Sequence, residues 1–295
     1  MTPPASNLRG IALMVLATGV FVINDTLLKL ATDGLPPMQV LFLRGLAATF
    51  WGVPLILFTG NLRNLKGAFD RIVLFRNVTE LFAVLCFIVA LANMPIADIT
   101  AIGQIAPMVL LLGVSLIYGE KIGLLRMGLI ALGFVGAILV AQPSGEGFSI
   151  YAILAFFAAL LTAARDIIGR KVPAYVPGPV VAFGTILVVM AGAGIATFFF
   201  EPWVAPAPHH LMFVAGSGFF LTIGHVAIFL AYRQGSTASV APFYYTFTVW
   251  AVISGVVVFS EWPNLIASIG IVLVVGSGLA VVLLDERRRR LLITA

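Results

Sequence analysis

Four stretches of this 295-residue chain, 172–200, 202–232, 234–260 and 262–284, contain no Asp, Glu, Lys or Arg. A helix on the surface of a soluble protein needs a charged or polar face toward water. A helix that crosses a bilayer needs about 20 mostly apolar residues instead. The whole chain leans the same way, with 61% hydrophobic and 10% charged residues. Soluble domains have about 45–50% and about 25%. A soluble fold of this size cannot hide so much apolar surface, and a disordered chain has the opposite balance. A β-barrel would alternate over segments of about ten residues, whereas these runs are continuous. An all-α integral membrane protein is predicted.

Ten spans are expected: 9–31, 37–58, 72–92, 97–118, 124–142, 148–170, 178–200, 211–233, 238–259 and 264–284. Turn chemistry separates them at Leu35-Pro36-Pro37, Gln142-Pro143-Ser144-Gly145, Val176-Pro177-Gly178-Pro179, Pro206-Ala207-Pro208 and Gln234-Gly235-Ser236. The first span carries Asn24, Asp25 and Lys29 and has no clear small-residue cleavage site, so a cleaved signal peptide is not expected. The lone cysteine, Cys86, excludes an internal disulfide and a cysteine metal cluster.

Charge sets the expected orientation. With the N-terminus inside, fifteen of the seventeen basic residues fall on the inner side, from Arg9 to Arg287-Arg288-Arg289-Arg290. Lys29 lies outside and Arg44 within span two. The positive-inside rule then places both termini in the cytoplasm, and a bacterial-type inner membrane is the expected location. The net charge of +5 therefore serves the anionic leaflet rather than a nucleic acid.

Shifted by 141 residues, the chain matches itself without gaps. Ala17 falls on Ala158, Asp25 on Asp166, Lys29 on Arg170, Val40 on Val181, Phe42 on Phe183, Ala90 on Ala231, Ala97 on Ala238 and Glu120 on Glu261. One constant offset across five helices implies a duplicated unit. Five is odd, so the second copy enters the membrane from the opposite face. Two inverted five-helix repeats result, 1–142 and 143–286, followed by a basic tail, 287–295. Such halves meet at a pseudo-two-fold axis with a solute site near the bilayer midplane, as in secondary transporters.

With this plan, the segment Met94-Pro95-Ile96-Ala97-Asp98 through Pro107 to Gly119-Glu120-Lys121, then Gly133 and Gly136, resembles the drug/metabolite transporter superfamily in its EamA-type branch. The second half echoes it with Ser236-Thr237-Ala238, Glu261 and Gly276, and departs at Thr248, where the first half has Pro107. The resemblance implies a ten-helix carrier of small metabolites. Similar proteins export amino acids, while others take up riboflavin or S-adenosylmethionine.

Ionisable side chains inside a span are costly, about 2.5–3.5 kcal/mol on insertion scales, and should face a partner or a cavity. Counting at about 1.5 Å per residue puts Asp25 and Arg44 at like depth near the outer face. They could lock two helices as an ion pair. Alternatively Asp25 is a proton-sensitive gate and Arg44 a carboxylate anchor, suited to it by its two-pronged donors. Glu80, Arg165 and Asp166 lie toward the inner face, where Glu80 could bridge to Arg165 as a structural network, relay or gate. Asp166 is the repeat mate of Asp25.

The solute-binding candidates are Arg44, Gln104, His225, Tyr244, Tyr245 and Trp250. His225 titrates near neutral pH when unperturbed. In span nine, Tyr244, Phe247 and Thr248 are spaced to share a helix face, and Tyr and Trp offer an apolar ring with a polar edge. Gln104 is the repeat mate of Tyr245. Trp203 and Trp262 suit the interfacial belt. His209-His210 suggest a metal, but no third ligand accompanies them, and neither metal nor cofactor is expected. The pairs Gly133/Ala137 and Gly276/Ala280 fit either packing within the chain or the seam of a homodimer.

No phosphate loop, zinc-protease or serine-hydrolase motif occurs, so an enzyme is not expected. A channel would need a ring of pore-lining groups. The expected function is secondary or exchange transport of a small amphipathic metabolite, an amino acid with an apolar or aromatic side chain before others; the resemblance alone implies the export direction. Riboflavin or S-adenosylmethionine uptake is the alternative.

Overall fold

The computed structural model describes residues 4–118, 123–141, 149–235 and 240–294. Gly119-Glu120-Lys121, the turn at Gln142–Gly145 and Ser236–Ala238 lie outside the described residues, as do the side chains of Arg287–Arg290.

The chain is all helical: α1 (Pro4–Ala31), α2 (Pro37–Phe58), α3 (Arg71–Asn93), α4 (Ile96–Gly103), α5 (Ala106–Tyr118), α6 (Leu124–Ala141), α7 (Ile150–Gly169), α8 (Gly178–Phe200), α9 (Pro208–Gln234), α10 (Thr246–Phe259) and α11 (Leu265–Thr294). Short 3-10 helices cover Leu62–Phe69 and Ala241–Tyr245. Among the described residues nine stretches are long and apolar enough to cross a membrane, and the shorter apolar helix Phe243–Phe259 supplies the tenth. Large apolar side chains stand exposed, with Phe58, Leu124 and Phe200 each above 80%. That surface is stable only where lipid replaces water. The protein is an all-α membrane protein of ten spans in two inverted five-helix repeats.

Span four departs from the continuous helix expected over 97–118. It breaks between α4 and α5, at Gln104 and Ile105. Pro107 has no N–H for the carbonyl of Gly103, and the chain tightens instead, with Ile105 N–H reaching Ile102 C=O at 3.1 Å. Span nine likewise starts as a 3-10 helix, with Pro242 in its first turn, before α10 begins.

Contacts gather the helices into two compact units that cut across the repeats. The first holds α4, α5, α6, α10 and α11, with α1 up to Val22 and α9 from Ile223. Its tightest seam is α6 on α11. A Cβ on Gly270 would sit 2.5 Å from the Gly136 carbonyl oxygen, and one on Gly136 would sit 2.8 Å from that of Gly270. Gly133 and Ala137 belong to this packing within the chain; Gly276 has nothing within 4 Å of its Cβ position.

The second unit holds α2, α3, α7 and α8, with α1 from Ile23 and α9 up to Thr222. Glu201 caps α2 here, its two carboxylate oxygens accepting from the N–H groups of Met38 (3.0 Å) and Gln39 (3.1 Å). Such capping satisfies donors that a helix start leaves open. The Gln39 side chain returns the link, donating to Val204 C=O at 2.6 Å and accepting from Val204 N–H at 3.0 Å.

Candidate functional site

The predicted site residues divide cleanly between the units. All the charged ones, Asp25, Arg44, Glu80, Arg165 and Asp166, belong to the second. Gln104, His225, Tyr244, Tyr245 and Trp250 belong to the first.

In the second unit, α7 points Arg165 at two carboxylates. Its Nη1 donates to Glu80 Oε2 at 2.7 Å, and its Nε donates to Asp166 Oδ1 at 2.8 Å. One guanidinium between two carboxylates leaves the trio one negative charge in excess. Arg76, one turn before Glu80, donates instead to Thr185 Oγ1 (2.6 Å) and Asn77 Oδ1 (3.0 Å). The trio therefore links α3 to α7, and the second arginine links α3 to α8.

Asp25 and Arg44 are both buried, at 7% and 8% exposure. Asp25 Oδ1 accepts from Asn24 Nδ2 at 2.8 Å, and Asn24 Oδ1 accepts from Ser217 Oγ at 2.6 Å. Arg44 lies in the electrostatic field of both Asp25 and Glu80. Its Nε has no hydrogen-bond partner among the described residues. Asn24 and Ser217 were missed as site candidates, although a second polar residue beside Asp25 in an apolar span was a readable signal.

In the first unit the aromatic side chains form one cluster. Phe21 meets His225 edge-on with centroids 5.2 Å apart and stacks toward Phe247 at 6.4 Å; Tyr244 lies 6.2 Å from Phe247. Phe21, from α1, was also missed. Trp250 Nε1 donates to Val15 C=O at 3.1 Å, and the indole lies against Gly19. Its N–H is thus bonded to backbone, while the ring stays partly exposed. Tyr245 is buried against Gly278, where a Cβ would stand 2.2 Å from the phenol oxygen. Gln104 Oε1 and Thr248 Oγ1 are buried and lack hydrogen-bond partners among the described residues.

Two contacts outside the spans fasten loops. His210 Nδ1 accepts from Ala207 N–H at 3.2 Å, while its Nε2 lies 3.1 Å from both Asp33 C=O and His209 Nε2. The histidine pair thus ties the turn after α1, where Gly34 has φ +113, to the start of α9. Among the described residues no group of three or more His, Cys, Asp or Glu gathers as a metal site would. Asp70, just before α3, accepts through Oδ2 from Tyr175 Oη of the loop before α8, at 2.6 Å. That bond, with the capping Ile72 N–H, holds the Asp70 carboxyl below its ordinary range.

Ten apolar spans in two inverted repeats, with charges paired inside them, are the build of a membrane transport protein. The EamA-like transporter family model matches twice, over residues 8–142 and 149–283, and the chain belongs to that family. An uncharacterized transporter of Helicobacter pylori is 28% identical over 288 residues, covering 94% of this chain and 95% of the relative. A pseudopaline exporter of Pseudomonas aeruginosa is 26% identical over 166 residues, 56% of this chain and 58% of the relative. An S-adenosylmethionine uptake transporter of Rickettsia prowazekii is 22% identical over 286 residues, 95% and 94% of the two chains. The family and these relatives are transporters rather than enzymes. The protein is a multi-pass membrane transporter with a small-molecule solute.

Proposed function

We propose that this transporter moves amino acids with apolar or aromatic side chains, by alternating access in a bacterial inner membrane, and that it exports them. One observation carries the substrate class: Arg44, buried in a span, has a guanidinium Nε without a partner. A buried, unsatisfied cationic donor costs free energy. A solute carboxylate removes that cost through a charge-assisted hydrogen bond. Taken by itself, the first unit offers aromatic surface at Phe21, Tyr244 and Phe247, which suits a solute with an apolar or aromatic side chain. S-adenosylmethionine, which the Rickettsia relative is named for taking up, itself has an amino-acid end. The exporter relative supports the export direction.

The test is counterflow in proteoliposomes preloaded with labelled phenylalanine. Saturable exchange is expected, with competition from excess phenylalanine and threonine. Competition by riboflavin without competition by amino acids overturns the substrate class.

A further inference from the structure

The two helix breaks stand at repeat-equivalent positions. Adding 141 to Gln104 and Ile105 gives Tyr245 and Thr246, where the 3-10 helix Ala241–Tyr245 hands over to α10. A break in one span is explained by its proline. Breaks at the same register in both copies are not, because the prolines differ: Pro107 in the first copy maps onto Thr248, and Pro242 in the second maps onto Ala101. The shared feature is the interruption itself, reached by two local chemistries. In transporters with inverted repeats, interrupted spans expose backbone groups where a solute or ion is held. Short 3-10 stretches within a helix also mark functional positions.

A second, independent observation falls on the same two places. Gln104, at the first break, is 3% exposed, and its Oε1 has no hydrogen-bond partner among the described residues. Thr248, two residues into α10, is 1% exposed, and its Oγ1 also has none. The helices that carry them pack against each other: a Cβ on Gly255 of α10 would lie 3.5 Å from Ile96 Cγ2 of α4. Buried polar oxygens are almost always bonded, and each exception calls for an explanation. An amide oxygen can only accept. The Gly103 carbonyl, deprived of a donor by Pro107, is a second acceptor at the end of α4. A helix C-terminus adds partial negative charge.

We propose that the paired breaks form a binding site for an N–H donor within the first unit, with a solute ammonium group hydrogen-bonded to Gln104 Oε1 and a second polar contact from the Thr248 hydroxyl. This rests on the amino-acid reading for the identity of the donor. The site itself rests on the breaks and the two orphaned oxygens.

Thermal shift of the purified full-length protein tests it, with four probes: L-phenylalanine, phenethylamine (no carboxylate), 3-phenylpropionate (no ammonium) and riboflavin. L-Phenylalanine and phenethylamine should stabilise the wild type, and any shift from 3-phenylpropionate, which has no N–H donor, should not depend on Gln104. Gln104→Met should weaken both ammonium probes about tenfold or more, the expected cost of a hydrogen bond to a charged group. Gln104→Glu, which keeps the acceptor, should retain phenethylamine. Thr248→Val should weaken them less. Without probes, Gln104→Met should melt no lower than the wild type, since its oxygen has no internal partner. A lower melting point in that variant, or an equal loss of the phenethylamine and 3-phenylpropionate shifts in it, overturns the site. A shift from riboflavin alone that vanishes in Gln104→Met keeps the site, because the flavin imide N–H is then the donor, and retires the amino-acid reading. Silence from all four probes overturns both.

Discussion

At the scale of single residues, the charges inside the spans follow two different logics. Arg165 is satisfied, with a carboxylate at each end of its fork, and its depth matched that of Glu80 by simple counting along regular helices. Arg44 is not satisfied in the same way, and depth alone could not reveal that, because it depends on where Asn24 and Ser217 draw the Asp25 carboxylate. This predicts a split between stability and transport. Asp25→Asn or Arg44→Leu alone should each lower stability, by about 3–5 kcal/mol where an uncompensated buried charge remains. The double substitution should recover much of that loss in a detergent melting series. Counterflow should stay abolished in the double variant, since the proposed carboxylate anchor is gone. Additive losses of stability in the double variant would show that the two residues do not share a field. Trp250 illustrates the limit from the other side. Its aromatic ring was readable as a wall for a solute, but its bond to the Val15 carbonyl joins residues 235 positions apart, which no local pattern encodes.

At the scale of elements, hydropathy located the spans to within a few residues and said nothing about their interruptions. Mean hydropathy stays high across Gln104 and Ile105, at 2.0 over Ile96–Ile117, so one polar residue does not mark the break and its readable sign is Pro107, three residues past Gln104. Glycine spacing was similarly half informative. Periodicity gives the interval between small residues, but not the rotation of the helix that brings one of them to a neighbour. On α11, Gly270 faces the carbonyl of Gly136, whereas Gly276 faces open space. Gly270→Ala should therefore force two backbones apart and destabilise the protein by about 1–3 kcal/mol. Gly276→Ala should be neutral or slightly stabilising, because alanine is the better helix former. Melting points of the two variants, made on the same helix, check the assignment; equal losses would refute it.

At the scale of the whole molecule, the constant 141-residue offset is what made the architecture legible. It required only weak identities at one spacing, and the odd number of helices per copy then fixed the inversion. The two compact units were not legible, because each takes helices from both copies and contact partners are set by packing rather than by descent. The orientation rests on the partition of basic residues. A reporter active only in the cytoplasm, fused after Glu286, should give signal, and a reporter active only outside should give signal when inserted near His209. The opposite pattern with normal expression would invert the molecule.

The interleaving of the units also imposes an order on synthesis. Residues are made from the N-terminus onward, so the second unit has all its parts once Thr222 has left the ribosome. The first unit does not. Its opening helix is among the earliest segments to enter the membrane, yet Gly10 packs against Gly235 and the Val15 carbonyl receives Trp250. The beginning of the protein must wait in lipid, its neighbours unmade, until the last third of the chain arrives.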